Sequence, residues 1–237
     1  MIKVFIDPGH GGKDPGAVGN GLQEKDVVLD IAKRISKMLE QYEGVQVKLS
    51  RKDDRFIELS ERARMANAWG ADYFVSVHIN AGGGIGFETF IYTSRSAGSI
   101  NAQTVVHSEI FKEIGGTDRG KKSANLSVLR NTSMLAILTE TLFIDSTSDA
   151  AKLKDTTFLK KAAQGHVNGI AKAFSLQKKK GGSAKVIRTD ANIKFEGKKV
   201  DGFVEDGRTY VQVRDLAEML GLNVGWDQGS KTVTLNK

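Results

Sequence analysis

"2-IKVFIDPGHGGKDPG-16" is an apolar run that breaks into glycine and proline. Ile2 to Ile6 carries one charge, Lys3, and stops at Asp7. Pro8 and Pro15, the two prolines of the chain, both stand in the loop that follows. A short apolar run closed by turn residues reads as a buried strand of the kind found in parallel sheets. His10 sits just beyond its carboxyl end, on a turn too rich in glycine to be helical. Its role is the question the rest of the chain has to answer.

Working outward, apolar residues recur at Val27, Val28, Ile31, Ile35, Met38 and Leu39, which predicts a helix over Glu24–Tyr42. Val45–Leu49, Tyr73–Val77 and Phe87–Tyr92 read as strands, and Ile57–Ala68 and Ala97–Ile114 as helices. The stretches "SVL" (127–129) and "LAILTE" (135–140) read as two more strands, and Phe158–Phe174 as a last helix. Alternating strands and helices predict an α/β fold, a mostly parallel twisted sheet with helices on both faces. Residues 1–176 form this predicted domain, 177–184 a linker ("QKKKGGSA"), and 185–237 a small α+β module.

The net charge of +7 in 237 residues is spread thinly. Residues 1–177 carry +3, Lys178–Lys180 another +3 and residues 185–237 only +1. The excess favours contact with something anionic, a nucleic acid, a lipid surface or an anionic polymer, although no domain is the strongly basic block expected for nucleic acid. The lysine cluster reads as a solvated linker. With no cysteine, disulfides and thiolate metal sites are excluded, and a metal must be held by imidazole, carboxylate or backbone. No apolar run approaches the roughly 20 residues of a membrane span. The N-terminus shows no basic segment, apolar stretch or small-residue cleavage site, so no signal peptide is expected.

Parallel sheets bind ligands at the carboxyl ends of their strands. His10 follows the first strand, His78 ends "YFVSVH" and Glu140 ends "LAILTE". Glu24, at the start of the first helix, is expected at the same edge. Two histidines and a carboxylate suit zinc, which lowers the pKa of water to about 7 and leaves one coordination position open. A second carboxylate then serves as base. His10, Glu24 and His78 are the candidate ligands, Glu140 the candidate base, and Asn80 a candidate substrate contact. Gly9, Gly11 and Gly12 are expected to clear space for the ion.

Taken singly, each residue has a plainer reading. His10 can be a turn residue, and Glu24 can simply complement the helix dipole. His78 and Glu140 are harder to dismiss, because a buried strand end needs a reason for an imidazole or a carboxylate. Phosphate binding is disfavoured, because no helix opens promptly after Gly12 and Lys13 is the only cation at hand. His107 and His166 read as packed helical residues. Arg51, Arg62 and Asn67 read as salt-bridge and cap residues, and Glu88 as a neighbour of the site and not a ligand.

"FIDPGHGGKDPGAVGNGLQEKDVVLDIA", "SRKDDRFIELSERARMANAWGADYFVSVHINA", "GFETFIY" and "VLRNTSMLAILTETLFIDS", in that order, resemble the zinc-dependent N-acetylmuramoyl-L-alanine amidases of the Amidase_3 type. The resemblance places zinc ligands on His10, Glu24 and His78 and the catalytic glutamate on Glu140. It implies a peptidoglycan substrate, cleaved between the lactyl group of muramic acid and the L-alanine of the stem peptide. Two positions depart from the pattern. Leu135 stands where the family often has proline, and Leu142 where it often has glycine ("ETGF").

Within 185–237, "GRTYVQVRDLAEMLGLNVGWD" resembles the small domain named after the N-terminal region of copper amine oxidases, with Gln212 where proline is common. Two or three strands, a helix near Val213–Leu220 and a hairpin around "DQGSK" are expected. The segment has no histidine or cysteine, so copper is not expected. Cell-wall binding, including anionic wall polymers, is the expected role, with a spacer or dimerisation module as alternatives. A wall hydrolase without an export signal fits a phage or prophage endolysin, or a mother-cell lytic enzyme, made in the cytoplasm and acting on the wall after release. The alternatives to the amidase are another zinc amidohydrolase, such as a deacetylase or peptidase, and a non-catalytic wall-binding protein. A binder, however, needs no general base.

Overall fold

The structure, a computed structural model, describes residues 1–94, 96–179, 189–190, 193–195, 198–200, 202–205, 208–227, 229 and 232–237. It divides into two compact units, Met1–Lys180 and Gly181–Lys237.

In the first unit, β1 (Ile2–Pro8) leads through a small hairpin, β2 (Val18–Gly19) and β3 (Leu22–Gln23), into α1 (Glu24–Leu39). Then follow β4 (Val45–Leu49), α2 (Leu59–Trp69), β5 (Tyr73–Asn80), β6 (Phe87–Ile91) and α3 (Ala97–Ile114). The unit closes with β7 (Asp118–Ser123), α4 (Ser127–Arg130), β8 (Leu135–Phe143), α5 (Thr147–Leu153) and α6 (Thr156–Ala173). Six strands make one sheet in the order β4-β1-β5-β8-β6-β7. β4, β1, β5 and β8 are parallel, and β6 runs antiparallel to β8.

The period of two assigns the faces. Val4, Ile6, Val75, Val77 and Ile137 join the core with α1, α3 and α6. Phe5, Phe74, Ala136 and Leu138 join the opposite core with Ala66 of α2 and Val128 and Leu129 of α4. The same alternation puts Asp7, Ser76, His78 and Glu140 on the second face, nearer the carboxyl edge. The α1 apolar stripe is buried as its spacing predicts, and its N-terminal Glu24 is buried with it.

The structure departs from the sequence reading at several places. "SVL" is not a strand but the helical turn α4. Three β-compatible residues were too few to outweigh the cap-and-turn residues around them. β7, "DRGKKS", was missed because an edge strand need bury little, and its polarity hid it. α5 was missed although Ser146 and Asp149 are spaced as a capping pair, with the Ser146 hydroxyl accepting from Asp149 N. The strands carrying His78 and Glu140 run on to Asn80 and Phe143 instead of ending at those residues.

That extension contains a bulge. His78 pairs with Glu140, but Asn80 pairs with Phe143, so β8 has one extra residue. Leu142 falls there with a left-handed φ of 69°, a conformation that costs a non-glycine residue about 1–2 kcal/mol. Its side chain is buried in the core, which offsets that cost. Leu142→Ala keeps the strain and loses the packing, whereas Leu142→Gly loses only the packing. The glycine variant is therefore expected to be more stable than the alanine variant by about 1 kcal/mol in urea unfolding. Equal stabilities, or alanine ahead, would refute the strain.

In the second unit the described elements are β9 (Thr189–Asp190), β10 (Ile193–Phe195), β11 (Lys198–Val200), β12 (Gly202–Glu205), β13 (Arg208–Val211), α7 (Val213–Met219), β14 (Asn223–Asp227) and β15 (Thr232–Asn236). β14 and β15 pair as an antiparallel hairpin, and residues 228, 230 and 231 of its expected turn lie outside the described residues. So do residues 180–184 of the expected linker. Its first residues are tied to the first unit, with Glu43 N donating to Gln177 O and Lys179 N to Gln41 O, each at 2.9 Å. Among the described residues, no helix is long and apolar enough to cross a membrane.

Candidate metal centre

β1, β5 and α1 bring His10, His78 and Glu24 together. Glu24 Oε2 lies 3.1 Å from His10 Nε2, and Glu24 Oε1 lies 3.0 Å from His78 Nδ1. One potential ligand atom from each residue falls within 4.8 Å of the others. A tetrahedral zinc with ligands at about 2.0–2.1 Å holds neighbouring ligand atoms about 3.4 Å apart, so this donor set fits that ion with little adjustment.

Each side chain is held from behind. Glu24 accepts from Ala17 N and Ile79 N, both at 2.9 Å. His10 Nδ1 lies 2.8 Å from Asp14 Oδ2. His78 Nε2 lies 3.1 Å from Ser76 Oγ, which donates to Asp7 Oδ2 at 2.8 Å. Nδ1, at hydrogen-bond distance from Glu24, is the nitrogen that would turn its lone pair to an ion once the Nε2 proton is directed at Ser76. Asp7 is fully buried and also accepts from Ser50 Oγ at 2.6 Å and Arg62 Nη1 at 2.9 Å.

Two buried arginines fasten the His10 loop. Arg51 donates to Pro8 O, Gly9 O and Lys25 O, and Arg62 to Pro8 O, His10 O and Ile57 O. They hold His10 at a left-handed φ of 58°, a strained backbone that persists because the surroundings over-determine it. Sequence reading assigned Arg51, Arg62 and Asn67 to salt bridges and caps, which the Arg62–Asp7 pair bears out, and passed over Asp7 and Ser76. The available signal was Asp7 itself, an acid directly after a buried strand, as Glu140 is.

The glycines divide differently from expectation. A Cβ on Gly9 would stand 2.3 Å from the His78 ring, and one on Gly16 would stand 2.6 Å from Glu24 Oε2. Those two clear space for the candidate ligand side chains. Gly11 and Gly12 instead press against the backbone of Arg55 and Phe56.

Burial works to raise the Glu24 carboxyl, but hydrogen bonds to His10 and His78, and their charges, outweigh it and hold it far below the ordinary carboxylate range. Burial works to lower both imidazoles, and the bonds to Glu24 and its charge raise them instead. Glu140 behaves oppositely. Burial pushes its carboxyl up to about 7, with the His78 charge opposing and the Glu24 and Glu88 charges adding. Glu140 Oε2 is buried without a hydrogen-bond partner. It lines a cavity of about 410 Å³ together with His10, Glu24, His78 and Asn80. Ser127 and Val128 of α4 complete one wall.

Asn80 reaches that cavity with its amide donating to Glu88 Oε1 at 2.8 Å. Glu88 is itself paired with Arg119 and Lys122, so it stands beside the site and outside the ligand set. His166 is fully buried, against Thr139 and Ala162 O, and burial takes its pKa down to about 4. His107 is held by Thr89 and Asp118. Neither approaches the cluster.

Comparison with known proteins bears on this geometry. The family model of N-acetylmuramoyl-L-alanine amidases matches residues 4–172, and that of the copper amine oxidase N-terminal domain matches residues 190–237. The sporulation-specific N-acetylmuramoyl-L-alanine amidase of Bacillus subtilis is 51% identical over 179 residues, covering 75% of this chain and 70% of that protein. The endolysin of Bacillus phage SPP1 is 55% identical over 187 residues, covering 76% and 69%. The catalytic domain of the amidase CwlV from Bacillus (Paenibacillus) polymyxa superposes with a TM-score of 0.72 at 37% identity, covering 75% of this chain and 100% of that domain. With one model spanning most of the first unit and such relatives matched over more than two thirds of their length, the chain belongs to the N-acetylmuramoyl-L-alanine amidase family of peptidoglycan hydrolases.

Proposed function

We propose that this enzyme cleaves the amide between the lactyl group of N-acetylmuramic acid and the L-alanine of the stem peptide, with zinc held by His10, Glu24 and His78 and with Glu140 as general base. The observation that carries the mechanism is the unpartnered Glu140 Oε2 in the cavity those three residues line. A zinc ion held by those three residues would supply Lewis acidity toward water and the scissile carbonyl. The Glu140 carboxylate, made more basic by its burial, accepts the water proton and delivers it to the departing nitrogen. Asn80, fixed by Glu88, contributes a polar wall to the substrate cavity. Digestion of purified peptidoglycan is expected to release new N-terminal alanine. Free acetate would indicate a deacetylase, and other N-termini a peptidase, and either would overturn the assignment.

Ser76 transmits the Asp7 charge to His78 and sets its tautomer. Ser76→Ala is expected to weaken zinc binding about tenfold in competition with a chromogenic chelator. Unchanged affinity would show that the Ser76 hydroxyl does not orient the ligand.

Residues 185–237 are assigned to cell-wall binding. The observation behind this assignment is a separate small module, matched over residues 190–237, attached to a domain of the peptidoglycan amidase family. Deleting 178–237 should lower binding to purified walls, whereas unchanged binding would make the segment a spacer or dimerisation module. Both an endolysin and a sporulation amidase are among the relatives, so the reading as a lytic enzyme acting on the wall covers either setting.

A further inference from the structure

Two cavities flank the candidate metal ligands. The larger, described above, contains Glu140. The smaller, about 290 Å³, is lined by Asp14, Phe56, Ile57 and Glu58. His10, His78 and Leu59 border both, and Glu140 borders only the larger. A substrate whose scissile amide lies at the ligand cluster must extend in two directions from it, its acyl side one way and its amine side the other.

The chemistry fixes which side goes where. Water oxygen bonds to the carbonyl carbon, the C–N bond breaks, and its electron pair stays on nitrogen. That nitrogen takes the proton Glu140 received from water, and the second water proton, shed by the carboxylic acid product, converts the amine to ammonium. The transfer requires nitrogen within about 3.2 Å of the Glu140 carboxylate. Building on the function proposed above, we infer that the stem peptide occupies the larger cavity and that the muramoyl sugar, on the acyl side, occupies the smaller.

The walls agree with this orientation. Leu126, Val128, Leu138 and Ala81 give the larger cavity an apolar side suited to the alanine methyl and an extended peptide. Beyond Asn80, outside the cavity lining, Glu88 is paired with two cations, Arg119 and Lys122. In the smaller cavity Asp7 is fully buried and neutralised by Arg62, which leaves Asp14 and Glu58 as its accessible carboxylates. Carboxylates there can accept from sugar hydroxyls, and Phe56 and Ile57 offer an apolar face to a pyranose ring.

Binding of the two reaction products to the zinc-loaded full-length chain tests the assignment by calorimetry. The probes are N-acetylmuramic acid and an L-alanine-terminated stem tripeptide. Ala81 and Glu58 are both exposed, one at each cavity, so filling either with tryptophan leaves the core intact. Ala81→Trp is expected to weaken tripeptide binding at least fivefold and leave N-acetylmuramic acid unaffected. Glu58→Trp is expected to do the reverse. The opposite pairing would overturn the orientation. Parallel loss of both affinities in either variant, or loss of neither, would overturn the division into two subsites. Failure of the function itself reads out separately, as a zinc-loaded wild type that releases no N-terminal alanine from peptidoglycan.

Discussion

Glu140→Gln is expected to lower the turnover of muramoyl-peptide by about 10²–10⁴-fold while leaving zinc content at the wild-type level. Glutamine keeps the shape and cannot accept a proton. The three candidate ligands do not include Glu140, so metal content is the internal control. Loss of zinc together with activity would make Glu140 a ligand, and retained turnover would remove it from the mechanism. The same variant has a stability signature in the metal-free protein. The folded carboxyl titrates near 7 against an ordinary 4.5, so the wild type is penalised as pH rises from about 4.5 through 7. The neutral amide escapes that penalty. Metal-free Glu140→Gln should thus exceed the wild type by about 3 kcal/mol at pH 8, with the advantage fading as pH falls towards 4.5. A pH-independent difference in urea unfolding would contradict the burial argument.

Arg62→Met is expected to cost about 3–5 kcal/mol of stability, the largest folding effect predicted for a single side chain here. The guanidinium is 2% exposed and pairs with an Asp7 that is 0% exposed. Its removal leaves a buried carboxylate with only two serine hydroxyls, and strips a donor from the carbonyls of Pro8, His10 and Ile57. Arg62→Lys retains the charge but cannot reproduce the planar fork, so an intermediate loss is expected. Because Arg62 also holds His10 in its left-handed conformation, zinc affinity should fall with stability. A loss below about 1 kcal/mol in Arg62→Met would show that the loop is held by other means.

Local sequence was enough to bring the candidate site residues to one sheet edge. "IKVFI", "YFVSV" and "LAIL" are apolar because their strands are covered on both faces, and a titratable residue at such an end stands out against that background. His10, His78 and Glu140 were legible for this reason. Glu24 was legible more weakly, because an acidic first turn is common on helices. Polar, short or lightly buried elements left no comparable pattern, which is why β7 and α5 were missed and α4 was misread. α4 matters, since it forms a wall of the Glu140 cavity.

The sequence by itself therefore determined the periods of the long, well-buried strands and helices and the residue types expected at one sheet edge. Only the tertiary structure decided what holds them there. Glu24 and His78 stand 54 residues apart, and Arg62 and Asp7 stand 55 apart. No local pattern encodes such pairings. They form because a buried charge must find its partner in space, and the folded sheet decides which partner is near. The left-handed Leu142 belongs to the same class. It follows from one extra residue in β8 opposite β5, a register that exists only once the two strands are paired.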